Sequence, residues 1–265
     1  MRNQFAIVSA ALLCLFVAGA QTQAPPEAAD NRVTAASSSH DLSGVWLPPD
    51  PQVLDRLAGY NNRGAADGAF AKEISRTPWA DEKYNAAKPG FGPRRAPGGN
   101  DPILHCDPPG MPRIIGGTFE LIQIPGRIVL FFEGNHVRRE IWMDGRELPK
   151  DPDPTWYGYS VGKWEGDTLV VNSIGFNDRS WIDSWGDPHS DQMHVVERYR
   201  RLDHDTLELR MTIDDPKAYT KQLVSNPKLF KLHTKYDLVE SLCVPEDEAS
   251  FLEKVREPAM QTPNK

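Results

Sequence analysis

The stretch from Phe119 to Arg146 reads FELIQIPGRIVLFFEGNHVRREIWMDGR, and its pattern decides the architecture. Three turn dipeptides, Pro125-Gly126, Gly134-Asn135 and Asp144-Gly145, separate runs that are rich in β-branched and aromatic residues. The last two dipeptides tolerate the positive φ of primed hairpin turns, whose twist matches the flanking strands. The stretch therefore predicts an antiparallel meander.

The same alternation of turn residues and strand-like runs returns in YSVGKWEGDTLVVNSIGF, from Tyr159, and in HVVERYRRLDHDTLELRMTID, from His194. In residues 206–214 the apolar side chains alternate with polar ones, as expected of a half-buried strand. The predicted inward set is Leu207, Leu209, Met211 and Ile213. We expect the body of the chain to be up-and-down β structure.

In two other segments the residue pattern does not identify which face points into the fold. In residues 136–143 one face mixes charge with an aromatic ring, and the other is apolar except for Arg139. In residues 197–201, Arg198 shares one face with Arg200, and Glu197 shares the other with Tyr199. A charged set that points inward needs partners, whereas one that points outward would form cross-strand ion pairs. An inward Arg198 would favour an anionic or oxygen-rich ligand.

The chain has 265 residues and a formal net charge of −7. Its first 20 residues combine Arg2, an apolar run and an Ala-Gly-Ala end, the pattern of a cleaved secretory signal peptide. Cleavage removes one positive charge and leaves −8, so we expect an acidic protein that is secreted or periplasmic. This charge disfavours nucleic-acid binding. We expect no membrane insertion after cleavage, and the oligomeric state stays open.

The rest of the chain is predicted to form a single β domain over residues 41–256, preceded by a flexible leader over 21–40 and followed by a tail over 257–265. Within the domain we expect a long irregular arm at 41–112, strands at 113–243 and a short helix at 246–256. The arm carries two helical patterns, at 51–57 and 79–87. So long an irregular stretch is typical of a lid or of a segment that wraps around the fold.

Two cysteines remain after cleavage, Cys106 before the meander and Cys243 after the last strand pattern. An oxidising compartment favours a disulfide between them. The alternative is a pair of buried thiols.

The segment Asp41-Leu42-Ser43-Gly44-Val45-Trp46 contains the G-x-W that opens the first strand of lipocalin-like barrels, in which the tryptophan closes the barrel floor. Joined to the meander, it predicts an antiparallel up-and-down lipocalin-like β-barrel. Closure also removes exposed strand edges. The chain further resembles a mostly uncharacterised family of exported bacterial proteins that share W-E-G-D-T-L-V-V, G-F-N-D, P-H-S and E-R-x-R-R. That resemblance implies a fold and a location but no reaction.

Functional side chains are densest between Phe176 and His194, in FNDRSWIDSWGDPHSDQMH. This connection is longer than a hairpin needs, and long loops at barrel mouths often carry ligand sites. The candidate catalytic group is His189, with Asp183 or Asp178 orienting its imidazole. The alternative is that the acids cap turns and the tryptophans pin the loop. The candidate ligand-binding residues are Trp156, Trp181, Trp185, Arg198 and His194.

A metal site formed by His189, His194 and nearby carboxylates lacks a standard zinc spacing, and the D-x-D-x-D-G calcium pattern is absent. We therefore predict neither a metal nor a cofactor. The G-x-S-x-G, P-loop, H-E-x-x-H and C-x-x-C motifs are also absent, which disfavours the common hydrolases, NTPases, zincins and thiol oxidoreductases.

Three functions stay open. The first is a barrel that binds a small, mainly apolar ligand bearing polar groups. The second is a cofactor-independent lyase, hydratase or isomerase that uses a His-Asp pair. The third is a structural or partner-binding module of the envelope.

Overall fold

The computed structural model describes residues 40–48, 74–90 and 94–258. The predicted signal peptide, most of the leader, the helix predicted at 51–57 and the end of the tail lie outside these residues. Within them, one sheet contains ten strands. They are β1 (Gly44–Leu47), β2 (Phe119–Ile124), β3 (Arg127–Phe132), β4 (Arg138–Trp142), β5 (Tyr159–Glu165), β6 (Thr168–Ile174), β7 (His194–Asp203), β8 (Thr206–Asp214), β9 (Leu223–Val224) and β10 (Lys228–His233).

Within the described residues, two α-helices accompany the sheet, together with short 3₁₀-helices at Pro102–His105 and Arg113–Gly116. Helix α1 (Pro78–Ala86) begins after Thr77, whose hydroxyl accepts a hydrogen bond from the amide of Ala80. Such N-caps satisfy a backbone donor that the first turn leaves free. Helix α2 (Pro245–Phe251) continues into a π-helical turn at Leu252–Arg256. The helices predicted at 79–87 and 246–256 are thus confirmed, and no helix of the described residues is long and apolar enough to cross a membrane.

The sheet closes on itself. Neighbouring strands follow chain order from β1 to β8, and β10 pairs with both β1 and β8, while short β9 extends from β8. The result is a closed barrel of nine strands, as the all-β prediction required. Closure gives the backbone groups of β1 and β8 partners that an open sheet would leave exposed.

One pair departs from the predicted antiparallel pattern. Strands β4 and β5 run parallel, with Ile141 opposite Ser160. After β4 the chain does not fold directly back as a hairpin, because residues 143–158 first return it to the end of the barrel where β4 began. A parallel pair requires such a crossover. The barrel is therefore mixed, and the expectation of a purely antiparallel sheet was wrong here.

The predicted inward face of β8 is buried. Leu207, Leu209 and Ile213 are fully buried, and Met211 is 1% exposed. The register between strands places this face beside the inward faces of the neighbouring strands. Leu207 lies opposite Phe230 on β10, and Leu209 lies opposite Tyr199 on β7. Other large side chains of the interior are Trp46, Phe119, Phe132, Leu121 and Leu130.

We call the two ends of the barrel the closed end and the loop end. The closed end carries the tight turns at 125–126, 166–167 and 204–205. Residues 40–42 pack across it, where the indole of Trp46 donates to the carbonyl of Leu42 at 2.8 Å. The ring of His40 stacks on Trp164 with centroids 4.2 Å apart. Trp46 is thus buried and anchored at the closed end.

The loop end gathers the long connections at 102–118, 147–158, 175–193 and 215–222. A disulfide joins Cys106 to Cys243, with their Cα atoms 5.4 Å apart, and ties the segment after β10 to the segment before β2. The predicted pairing of these cysteines is confirmed.

Candidate functional site

The barrel interior contains an ion pair that shows which faces of β4 and β7 point inward. Arg139 on β4 and Glu197 on β7 are 3% and 0% exposed, and both terminal nitrogens of the guanidinium, Nη1 and Nη2, donate to the Glu197 carboxylate. The hydroxyls of Ser160 and Ser173 accept from the same guanidinium at 3.0 and 2.9 Å. Tyr199 donates a hydrogen bond to Glu197 at 2.7 Å. Burial, followed by the negative charge of Glu197, raises the pKa of the phenol, so Tyr199 keeps the proton that it donates. These contacts stabilise a buried pair that alone would be costly to desolvate.

Arg198 lies on the outer face of β7, where its guanidinium is 2.9 Å from a carboxylate oxygen of Glu165. Arg139, on β4, points into the barrel. One signal was visible in the sequence, namely that Arg139 interrupts an otherwise apolar face.

The second polar group of interest lies at the loop end, in the 176–193 loop and the turn after β8. Its members are buried polar side chains within these two connections. We call them the loop cluster: Ser180, Asp183, Asp187, His189, Ser190 and Asp215. Buried polar side chains at this density need complete hydrogen bonding.

His189 sits at the centre of the loop cluster and is 1% exposed. Its Nδ1 is 3.2 Å from the carbonyl oxygen of Ser190, and its Nε2 is 2.9 Å from the hydroxyl of Ser180. A carbonyl only accepts, so Nδ1 carries the proton and Nε2 accepts from Ser180. Burial lowers the pKa of the imidazole, which is consistent with the neutral form.

The orienting contact of His189 thus comes from the Ser190 backbone and not from Asp183 or Asp178. Ser190 is itself held by Asp215, which accepts from its amide at 2.6 Å and from its hydroxyl at 2.7 Å. Asp178 is exposed on the loop. No pattern in the sequence indicated that Ser180 would contact His189 or that Asp215 would contact Ser190.

Ser180 is covered by the backbone of Gly110, which adopts φ +67°. A Cβ at this position would overlap the hydroxyl of Ser180, and its nearest approach to the Ser180 Cβ would be 2.8 Å. Only glycine combines that conformation with that proximity at little cost. Gly110 therefore lets the 102–118 connection close over the Ser180–His189 contact.

Asp183 and Asp187 form the other half of the loop cluster. A carboxylate oxygen of Asp183 accepts from the amides of Trp185 and Asp187 at 2.9 and 3.0 Å. Burial, followed by the negative charge of Asp187, raises the pKa of Asp183 to about 7. Asp187 accepts from Nε of Arg76 at 2.5 Å, so the irregular arm contributes a charge to this site.

Residues 74–90, which include α1, lie over the loop cluster, and we call them the covering segment. The guanidinium of Arg76 stacks on Tyr84, 3.4 Å from the ring centroid. The amide and the hydroxyl of Thr77 both donate to carbonyls in the turn after β8, at Ala218 and Lys217 respectively. The expectation that the arm wraps the fold or forms a lid agrees with this placement.

The tryptophans of the predicted ligand set lie at the loop end. Trp156, Trp181 and Trp185 are each partly exposed there. The guanidinium of Arg179 lies 4.7 Å from the Trp156 ring centroid. His194, at the start of β7, approaches the side chain of Asn172 at 3.2 Å, and burial lowers its pKa. His194 is therefore separate from the contacts of His189.

The described part of the chain holds no group of three or more His, Cys, Asp or Glu residues arranged to bind a metal ion. Comparison of the chain with protein-family models, with curated proteins and with solved structures gave no match. Function is therefore inferred from the chemistry of the site itself.

Proposed function

We propose that this protein is an exported β-barrel that binds a small, mainly apolar molecule bearing polar groups, and that the ligand binds at the loop end. The observation that supports this most is the combination of Trp156, Trp181 and Trp185, partly exposed, above a buried polar cluster. Flat apolar surfaces beside a few fixed polar groups are typical of small-molecule sites.

The packing of the barrel interior favours the loop end over the centre of the barrel. Trp46, Phe119, Phe132, Tyr199 and Phe230 are all buried to 1% exposure or less. Barrels of about this strand number have interiors that side chains can fill. A ligand would then lie against the loops and not among the strands.

The test begins with thermal melting of residues 21–265 against metabolites, sugars, aromatic compounds and metal ions. A compound that raises the melting temperature is then titrated by tryptophan fluorescence. We expect Trp181→Leu or Trp185→Leu to weaken binding by about tenfold, since a lost aromatic contact costs roughly 1 kcal/mol. Trp142→Leu is the matched control, because Trp142 lies on the outer wall near the closed end. Equal affinity in all three variants would contradict the proposed location.

An acid–base enzyme is the second candidate, favoured by the neutral His189 whose Nε2 accepts from Ser180. In such an enzyme the imidazole would take a proton from the substrate, with the hydroxyl of Ser180 as relay. The variant His189→Gln separates the two candidates. A binding protein should keep its ligand affinity, whereas an enzyme should lose turnover, which is measured by mass analysis of the incubated compound.

Export to the periplasm or the medium is part of the proposal. The disulfide supports it, since disulfides persist in oxidising compartments. N-terminal sequencing of the protein from fractionated cells tests it. Cleavage after Ala20 in an extracytoplasmic fraction is the expected result, and an intact Met1 in the cytoplasm would contradict it.

A further inference from the structure

Two carboxyl groups and one arginine meet beneath the covering segment. Asp183 and Asp187 are 1% and 0% exposed, and the amide of Asp187 donates to Oδ1 of Asp183 at 3.0 Å, so the two carboxyl groups are neighbours. Arg76 is the cation that bonds to them, through Asp187. Two ionised carboxylates beside one guanidinium would leave an uncompensated negative charge out of water, which is strongly unfavourable. One additional proton would make the group neutral.

The hydrogen bonds indicate where that proton belongs. Asp187 Oδ2 is buried and meets no conventional donor in the described structure. Asp183 uses Oδ1 to accept from two amides, which leaves its other oxygen able to carry a proton. We propose that Asp183 is protonated and donates to Asp187, and that this shared proton completes a clamp in which Arg76 holds the covering segment on the 176–193 loop.

The clamp reaches helix α1 because Arg76 stacks on Tyr84. Tyr219 and Asp215, from the turn after β8, also face the carboxyl pair. A second cation, Arg94, stacks on Tyr84 and donates to the carbonyl of Trp185, so its guanidinium bonds to the loop backbone and not to either carboxyl group. The hydroxyl of Tyr219 donates to the carbonyl of Pro188, and Asp215 accepts from Ser190, so neither supplies the missing proton. Loss of the proton would leave an uncompensated negative charge out of water, and opening of the covering segment would relieve that cost because it hydrates the carboxyl pair.

The direction of the pH effect follows from linkage. The pKa of Asp183 is about 7 in the closed clamp and would be about 4 for a hydrated aspartate. Opening therefore releases a proton. The opening equilibrium should rise about tenfold per pH unit from about pH 5 to pH 7 and level off above about pH 8. The clamp is thus stabilised by acid. The clamp does not depend on the proposed ligand, so an experiment can contradict either the clamp or the ligand-binding proposal without contradicting the other.

The experiment measures hydrogen-exchange protection factors of residues 74–90 in residues 21–265 without ligand, from pH 5 to pH 9. We expect wild-type protection to fall about tenfold per pH unit up to pH 7. Asp183→Asn keeps the acceptor and supplies an amide donor to Asp187, but it cannot ionise. Its protection should stay at the acid level throughout. The same pH slope in Asp183→Asn as in the wild type would overturn the proposal.

Asp191→Asn is the matched control, since Asp191 is an exposed residue of the same loop that pairs with Lys217 at 3.2 Å. It should retain the wild-type slope. If Asp183→Asn does not fold, carbon NMR of the aspartate carboxyls in the wild type decides the question. A carboxyl that is protonated at pH 5 and titrates near pH 7 supports the clamp, and full ionisation of every aspartate at pH 6 overturns it.

Discussion

Arg139 on β4 and Glu197 on β7 form a salt bridge inside the barrel although 58 residues separate them in the chain, with Nη1 2.9 Å from Oε1. The pair links two strands that are not neighbours, since β5 and β6 lie between them. Ser160 and Ser173, on those intervening strands, accept further hydrogen bonds from the guanidinium. The contact therefore spans four successive strands and stabilises the closed arrangement.

The first prediction concerns this pair. Glu197→Gln should lower the free energy of unfolding by about 3–5 kcal/mol, because it leaves the charge of Arg139 buried and unpaired. The control is Arg198→Gln, which breaks an exposed salt bridge one residue along and should cost about 1 kcal/mol or less. Urea denaturation measures both changes. Similar losses in the two variants would show that the interior pair contributes no more than a surface pair.

The second prediction compares two glycines of equal backbone conformation. Gly98 and Gly110 both adopt φ +67°, but a Cβ at Gly98 meets nothing within 4 Å, whereas one at Gly110 overlaps Ser180. Gly98→Ala should cost about 1 kcal/mol from the backbone conformation alone. Gly110→Ala should cost about 1–3 kcal/mol more, because overpacking displaces Ser180. The difference between the two urea midpoints, at unchanged slope, isolates the packing effect.

The third prediction concerns the disulfide, which encloses a sequence separation of 137 residues. Replacing Cys106 and Cys243 together by serine should lower the free energy of unfolding by about 5 kcal/mol, on the model in which the cross-link restricts the unfolded chain. Urea denaturation measures the loss. Chemical reduction of the wild type should reproduce it, and reduction of the double variant should have no further effect.

The fourth prediction is the pH dependence contributed by His189. Its pKa is lowered by burial, so the unfolded chain binds a proton at about pH 6.5 that the folded protein resists. The contribution of His189 to stability is therefore present above about pH 6.5 and is lost as the pH falls. His189→Gln should remove this loss, which is measured as a smaller fall in melting temperature between pH 6.5 and pH 5. An identical fall in both proteins would contradict the buried neutral imidazole.

The local patterns of the chain were enough to predict its elements. Turn dipeptides and alternating apolar residues located the strands, and the apolar set of residues 207–213 is the set that the barrel buries. These predictions succeed because strand formation and side-chain alternation depend on near neighbours in the chain.

Contacts between distant segments were decided by the tertiary structure alone. The parallel β4–β5 pair depends on the path of residues 143–158, which carries no periodic signal. Whether Arg198 or Glu197 pointed inward could not be read from an alternation that is charged on both faces. The pairings of Arg76 with Asp187 and of Ser180 with His189 appear only when the covering segment and the loops meet at one end of the barrel, because each side chain takes its partner from whatever the closed fold brings within hydrogen-bond distance.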